Sequence, residues 1–93
     1  MGPQLVAAAE VTGEAKWYGD TGQQCCADLA RQYKNQLEGR GYAICIDETG
    51  RDTYIRGTAR FSGYCEPYEK SGGCYRYECV VPVTAECREP QRR

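Results

Sequence analysis

Hydrophobic and polar positions along this 93-residue chain fall into five patterned stretches separated by turn-forming segments. The first, Val6 to Tyr18, carries the β-branched residues Val6, Val11 and Thr12 and the aromatic pair Trp17-Tyr18. It predicts a strand, with Gly13 as a bulge or bend. Gly19-Asp20-Thr21-Gly22 reads as a turn in which Asp20 or Thr21 caps a helix. From Gln23 to Glu38 the period becomes that of a helix. Cys26, Leu29, Ala30, Tyr33 and Leu37 share one face, and Asp28, Arg31, Gln32, Lys34, Asn35 and Gln36 lie largely elsewhere. Gly39 or Gly41 supplies the stop, with Arg40 near the negative end of the helix dipole.

Beyond the helix the period is two. Tyr42-Ala43-Ile44-Cys45-Ile46 predicts a strand, ended by the polar run from Asp47 to Asp52. Thr53 to Tyr64 predicts another, with Ile55, Ala59 and Phe61 on its apolar face and Tyr54, Arg56, Thr58 and Arg60 on the other. Glu66 to Gly73 has the composition of a loop. Cys74 to Val83 predicts the last strand, which should end or lie at a sheet edge at Pro82, where a ladder donor is missing. The expected order is β-α-β-β-β: an α+β fold with one helix packed on a small antiparallel sheet. Residues 5–87 form a single domain, residues 1–4 read as an expression remnant or a disordered start, and residues 88–93 read as a flexible basic tail.

Cysteine usage changes this picture most. Seven cysteines stand at positions 25, 26, 45, 65, 74, 79 and 87, and there is no histidine. At this density a short chain is expected to be stapled by disulfides and to belong to an oxidising, secreted setting. The spacings contain no C-x2-C pair, so neither a zinc site nor any other metal or cofactor is expected. Adjacent Cys25 and Cys26 point about 100° apart on a helix and must reach different partners. Cys26 is expected to face the core and Cys25 to sit at its edge. The odd count leaves one thiol free, joined to a second chain in a disulfide-linked or non-covalent homodimer, or capped by glutathione. Cys25 is the first candidate and Cys45 the second, and the expected bridges draw on Cys26, Cys45, Cys65, Cys74, Cys79 and Cys87.

Net charge is −1 with both signs interspersed, which argues against a nucleic-acid binder. No apolar run approaches the ~20 residues that span a bilayer, and Leu5 to Ala9 is too short for a signal-peptide core. Without histidine, Ser62 and Ser71 lack the usual activating base. The carboxylate pairs Asp47-Glu48 and Glu66/Glu69 fall in expected turns, where solvation accounts for them. A small histidine-free hydrolase is therefore the least favoured class, and no catalytic residue is assigned. The candidate site is aromatic instead. Tyr64, Tyr68 and Tyr75 flank a loop carrying Glu66, Glu69 and Lys70, and tyrosine is the residue type that binding surfaces use.

A mature domain of this size, several cysteines, richness in Tyr and Gly, and one helix on a small sheet together resemble the small cysteine-rich secreted effectors of plant-associated fungi. In build the chain is also similar to the α/β-sandwich killer toxins of smut fungi, which usually carry a second helix. The likeness spans residues 5–87 and rests on architecture and cysteine usage. It implies secretion, and action by binding a host or competitor molecule in preference to catalysis, with a host or competitor protein the expected partner. The order β-α-β-β-β also resembles that of cystatin-type protease inhibitors. Leu5 to Ala9 and Val80-Val81-Pro82-Val83 sit where that family places inhibitory segments. The family's Q-x-V-x-G sequence is absent, and Val83 stands where a Trp would follow the Pro.

Overall fold

The computed structural model of the protein describes residues 8–88. The expected start at 1–4, the Leu5–Ala7 part of the N-terminal stretch and the tail beyond Arg88 lie outside the described residues. The order is β1 (Ala8–Gly19), α1 (Gly22–Tyr33), α2 (Leu37–Thr49), β2 (Arg60–Phe61), β3 (Glu66–Glu69) and β4 (Tyr77–Arg88). The expected α+β layer is present, with two helices on a four-stranded antiparallel sheet.

Strict alternation makes β1 one-sided. Ala9, Val11, Ala15 and Trp17 turn toward the helices, while Glu10, Thr12, Glu14, Lys16 and Tyr18 are exposed. The predicted bulge at Gly13 does not form: pairing with β4 is continuous from Ala8↔Arg88 to Gly19↔Tyr77. Glycine is needed there for close approach, since a Cβ would stand 2.6 Å from Ile44 Cγ1.

Helix α1 opens as expected, with Thr21 Oγ1 accepting the Gln24 N–H at 3.1 Å. It ends at Tyr33, however, so Leu37 is not part of its stripe. With Leu37 removed, the buried row rotates onto Cys25 and Leu29, one four-residue step apart; Cys26 is half-buried and Ala30 exposed. The expected roles of Cys25 and Cys26 are thus reversed.

The stretch predicted as a strand at Tyr42–Ile46 is the middle of α2. Leu37, Gly41, Ile44 and Cys45 are its inward positions, a helical spacing. Gly39 and Gly41 mask that signal because glycine inside a helix costs about 1 kcal/mol against Ala. Gly41 is nonetheless required, because a Cβ there would overlap the Tyr54 ring. Asp47 and Glu48 accordingly sit in the last turn of α2, not in a loop.

Strand β4 organises the sheet, with β1 along one side and β2 and β3 in succession along the other. Pro82 neither ends it nor places it at an edge. The carbonyls of Pro82 and Glu86 accept the N–H groups of Ser62 and Ile55, so even-numbered residues of β4 turn their backbone toward the β2/β3 side. Pro82 therefore faces the gap where the chain leaves the sheet between Phe61 and Glu66, and its missing N–H has no strand to serve there. The predicted strand at Thr53–Tyr64 shrinks to β2 and a single bridge between Tyr54 and Cys87, because a turn intervenes in which Thr58 N–H bonds Ile55 O. Arg88 belongs to β4, not to the tail, and its N–H donates to Thr53 O at 2.8 Å.

Three disulfides join the layers: Cys25–Cys79, Cys26–Cys65 and Cys45–Cys87. Cys25 is therefore bridged and Cys74 is the free, exposed thiol, the reverse of the sequence expectation. Cys74 precedes β4 at the tip of the turn from β3, away from the helix layer that supplies partners to Cys79 and Cys87. Cys45, the other candidate for the free thiol, is buried on α2 and bridged to the end of β4. The core lies between helices and sheet in two clusters. One is built on Ala15, Leu29, Ile44, Val81 and Val83 around Cys25–Cys79, the other on Tyr54 and Ala85 around Cys45–Cys87.

The bridges close loops spanning 54, 39 and 42 positions. In the chain-entropy view each restricts the unfolded state by about 4 kcal/mol when considered alone. Reduction should therefore cause a large fall in Tm, read by circular dichroism with and without a phosphine reductant; an unchanged melting curve would contradict this account. Leu29→Ala, at a fully packed site, should cost ~2–5 kcal/mol in urea unfolding. Ala30→Ser, on the exposed side of the same helix, should cost less than about 0.5 kcal/mol.

Candidate protein-binding face

The helices cover one side of the sheet only. Register lays out the other side in rows across the strands. Tyr18, Glu78 and Tyr68 form one row, Lys16, Val80 and Glu66 the next, then Glu14 with Pro82, and Thr12, Thr84 and Arg60 beyond. Across the last row Arg60 reaches Glu10 at 2.6 Å, and Thr84 is buried beneath. This open face is charged at the Glu10–Arg60 end and aromatic at the Tyr18–Tyr68 end.

The aromatic end has defined geometry. Tyr18 stacks on Tyr75 with ring centroids 6.1 Å apart and planes inclined by 27°. Lys70 Nζ stands 5.1 Å from the Tyr18 centroid and 3.9 Å from Glu78 Oε2. Tyr68 donates its hydroxyl to Glu66 Oε2 at 2.7 Å, and that bond to a carboxylate holds the phenol pKa above its ordinary value. Tyr18, Tyr68 and Tyr75 remain 41–52% exposed and Tyr64 is 91% exposed, so their ring area is available to a partner. Beside them Tyr18, Lys70, Gly72, Gly73, Cys74 and Tyr75 line a shallow hollow of about 220 Å³.

The predicted site residues are thus partly brought together. Tyr68, Glu66, Lys70 and Tyr75 contribute to one end of the face, whereas Glu69 sits one register step off the row of Tyr68 and pairs at 4.0 Å with exposed Arg76. Glu66–Glu69 is a strand and not a loop, since β3 pairs along its whole length with β4. Pro67 disguises it, but the residue lies between the positions that face β4 and its nitrogen points to the outer edge, where no donor is needed. The connecting turn is closed by Lys70 N–H to Arg76 O at 2.6 Å rather than by cysteines at both ends, because Cys74 is free. Sequence reasoning missed Tyr18 as a member of this cluster. The signal that finds it is the register Tyr18↔Glu78↔Tyr68, a long-range pairing.

Other constellations do not converge. Glu66 and Glu69 stand three residues apart on a strand and therefore point to opposite faces, and Asp47 and Glu48 are distant on α2. Val80-Val81-Pro82-Val83 lies inside the central strand and is not a protruding segment of the kind an inhibitor presents. The sulfurs of Cys26, Cys65 and Cys79 lie within 4.8 Å of one another only because two bridges run side by side, and bridged sulfur offers no thiolate to a metal. A second cleft, of about 410 Å³, is lined by Tyr42, Asp52, Tyr54, Ile55, Arg56 and Arg88. In it Arg56 Nε donates to the Tyr42 hydroxyl at 3.3 Å.

No protein-family model, curated protein or solved structure matches this chain.

Tyr54, beneath the second cleft, is buried and donates its hydroxyl to Glu38 Oε2, while Glu38 Oε1 accepts the Gly57 N–H at 2.8 Å. Burial first, and then the bond to Glu38, raise the phenol pKa. A phenol whose pKa is higher folded than unfolded favours the fold in its protonated form. That contribution is complete below the unfolded value of about 10 and is lost as pH rises through the folded value. Stability of a Cys74→Ser protein should therefore fall in this alkaline window, as read by urea unfolding at stepped pH. Tyr54→Phe should lose roughly 1.5–3 kcal/mol at neutral pH and show a shallower alkaline decline.

Proposed function

We propose that this is a secreted, disulfide-braced protein of the effector or toxin-like kind, which acts by binding a host or competitor protein through the tyrosine-lined end of its open sheet face. The observation that carries the reading is the Tyr18–Tyr75 stack with Lys70 over it, next to Tyr68, on a face that the helices leave uncovered. Tyrosines held by stacking and hydrogen bonds lose little freedom on binding and offer both ring area and a hydroxyl. The free-energy gain from such rings is normally concentrated in a few of them. Secretion is supported by six of seven cysteines forming bridges. The second helix, α2, brings the layer nearer to the two-helix build usual among the smut-fungus toxins. Against an enzymatic reading stand the divergent carboxylates and the lack of histidine.

The test is capture of partners from host or competitor extract by immobilised protein, compared among three forms with folding checked by circular dichroism. Tyr18→Ala/Tyr75→Ala should weaken binding of the captured partner about tenfold or more, as loss of central aromatic contacts does. Tyr68→Ala/Glu69→Ala should weaken it as well, chiefly through Tyr68. Full binding by both folded double variants would remove this face from consideration.

A further inference from the structure

The sheet has two outer edges of different kinds. On one side β3 is four residues long and contains Pro67, and β2 has two residues; short strands and proline are the usual means of closing an edge. On the other side β1 presents twelve residues without a proline. Alternate residues of an antiparallel strand turn both backbone groups to the same side. Glu14 stands opposite Pro82, whose carbonyl faces Ser62 on the far side of β4, so Glu14 turns its own backbone groups away from β4, and its carbonyl accepts Arg40 Nε at 2.7 Å. Glu10, Thr12, Glu14, Lys16 and Tyr18 therefore aim their N–H and C=O groups at the open edge. A groove of about 590 Å³ runs along it, lined by Thr12, Gly13, Glu14, Lys16, Tyr33 and Arg40.

We infer that this edge pairs antiparallel with β1 of a second copy, with Gly13 opposite Gly13 at the two-fold axis. The charge pattern selects both the occupant and the register. Edge-facing residues must oppose edge-facing residues, so with most of the strand paired the axis falls at residue 12, 13 or 14. Centred on Thr12, Glu10 and Glu14 of the two chains stand opposite each other twice; centred on Glu14, the two Glu14 side chains meet. Both arrangements oppose like charges, which is destabilising. Centred on Gly13, Glu10 stands opposite the second copy's Lys16 and Lys16 opposite its Glu10, while Thr12 stands opposite Glu14. Lys16 makes no ion pair among the described residues, and Glu10 engages Arg60 through Oε2 alone. At the axis glycine removes any clash, and the Glu14 carbonyl can accept a strand N–H on its second lone pair beside Arg40. The axis is perpendicular to the sheet, so both open faces lie on one side of a continuous eight-stranded sheet. The dimer thus carries two aromatic ends on the same surface.

The experiment is sedimentation velocity over a concentration series, with every form made in a Cys74→Ser background so that a mixed disulfide cannot join the chains. The parent should dimerise reversibly, more weakly as salt rises. Glu10→Lys and Lys16→Glu should each weaken the dimer at least about tenfold, since each replaces two attractive cross-strand pairs by two repulsive ones. Glu10→Lys/Lys16→Glu together should restore it to within about threefold of the parent. Thr12→Pro, which removes an edge-facing N–H without touching the β4 ladder, should leave a folded monomer. A parent that stays monomeric at millimolar concentration overturns the inference. So does a double reversal that remains as weak as its single components, since the register would then be wrong.

Discussion

Everything in this protein is tied to β4. It is the central strand, pairing with β1 on one side and with β2 and β3 on the other. It also carries the sheet ends of two disulfides, Cys79 to α1 and Cys87 to α2. Between those anchors Val81, Val83 and Ala85 supply the sheet side of the core. A domain this small buries too little apolar area for a comfortable margin, and cross-links that close loops of roughly half the chain compensate through the unfolded state. Fastening the bridges at both ends of one strand ties down two helices that meet in one hydrophobic cluster, where Leu29 of α1 and Ile44 of α2 pack over Val81 and Val83.

The third bridge does a different job. Cys26–Cys65 fixes the chain between β2 and β3, the segment that leaves the sheet opposite Pro82. A residue without an N–H in the middle of a central strand, and a neighbour that bypasses it, are two parts of one arrangement. With Cys65 held against α1, β3 starts at a defined place, and its register puts Tyr68 level with Tyr18 across Glu78. The aromatic end of the open face follows from that bridge as much as from the tyrosines themselves.

Covering one side of a sheet and not the other leaves a molecule of two characters. The covered side holds the bridges and nearly all fully buried side chains; the open side holds ion pairs, stacked tyrosines and the one free thiol nearby. The exposed rings of the open side are held by neighbours, Tyr18 by Tyr75 and Lys70 and Tyr68 by Glu66, instead of by burial.

The sequence by itself determined that cysteines would pair, that adjacent Cys25 and Cys26 would reach different partners, and that a capped helix would follow a first strand. These are local matters: thiol count, the angular step of a helix, a Thr before a helix, β-branched and aromatic residues along the first strand. It also marked Tyr68, Tyr75, Glu66 and Lys70 as neighbours of one turn. Only the tertiary structure decided the rest. Ile44, Cys45 and the residues around them lie in a helix whose signal Gly41 masks, and glycine is required there by the Tyr54 ring, a contact thirteen positions away. Pro67 and Pro82 sit inside strands because of which way their nitrogens face, and that depends on register with another segment. Which cysteine stays free, and that Tyr18 joins Tyr68 and Tyr75 on the open face, follow from the same long-range pairing. Propensity and periodicity act within a few residues, whereas register is fixed by partners that only the folded chain brings together.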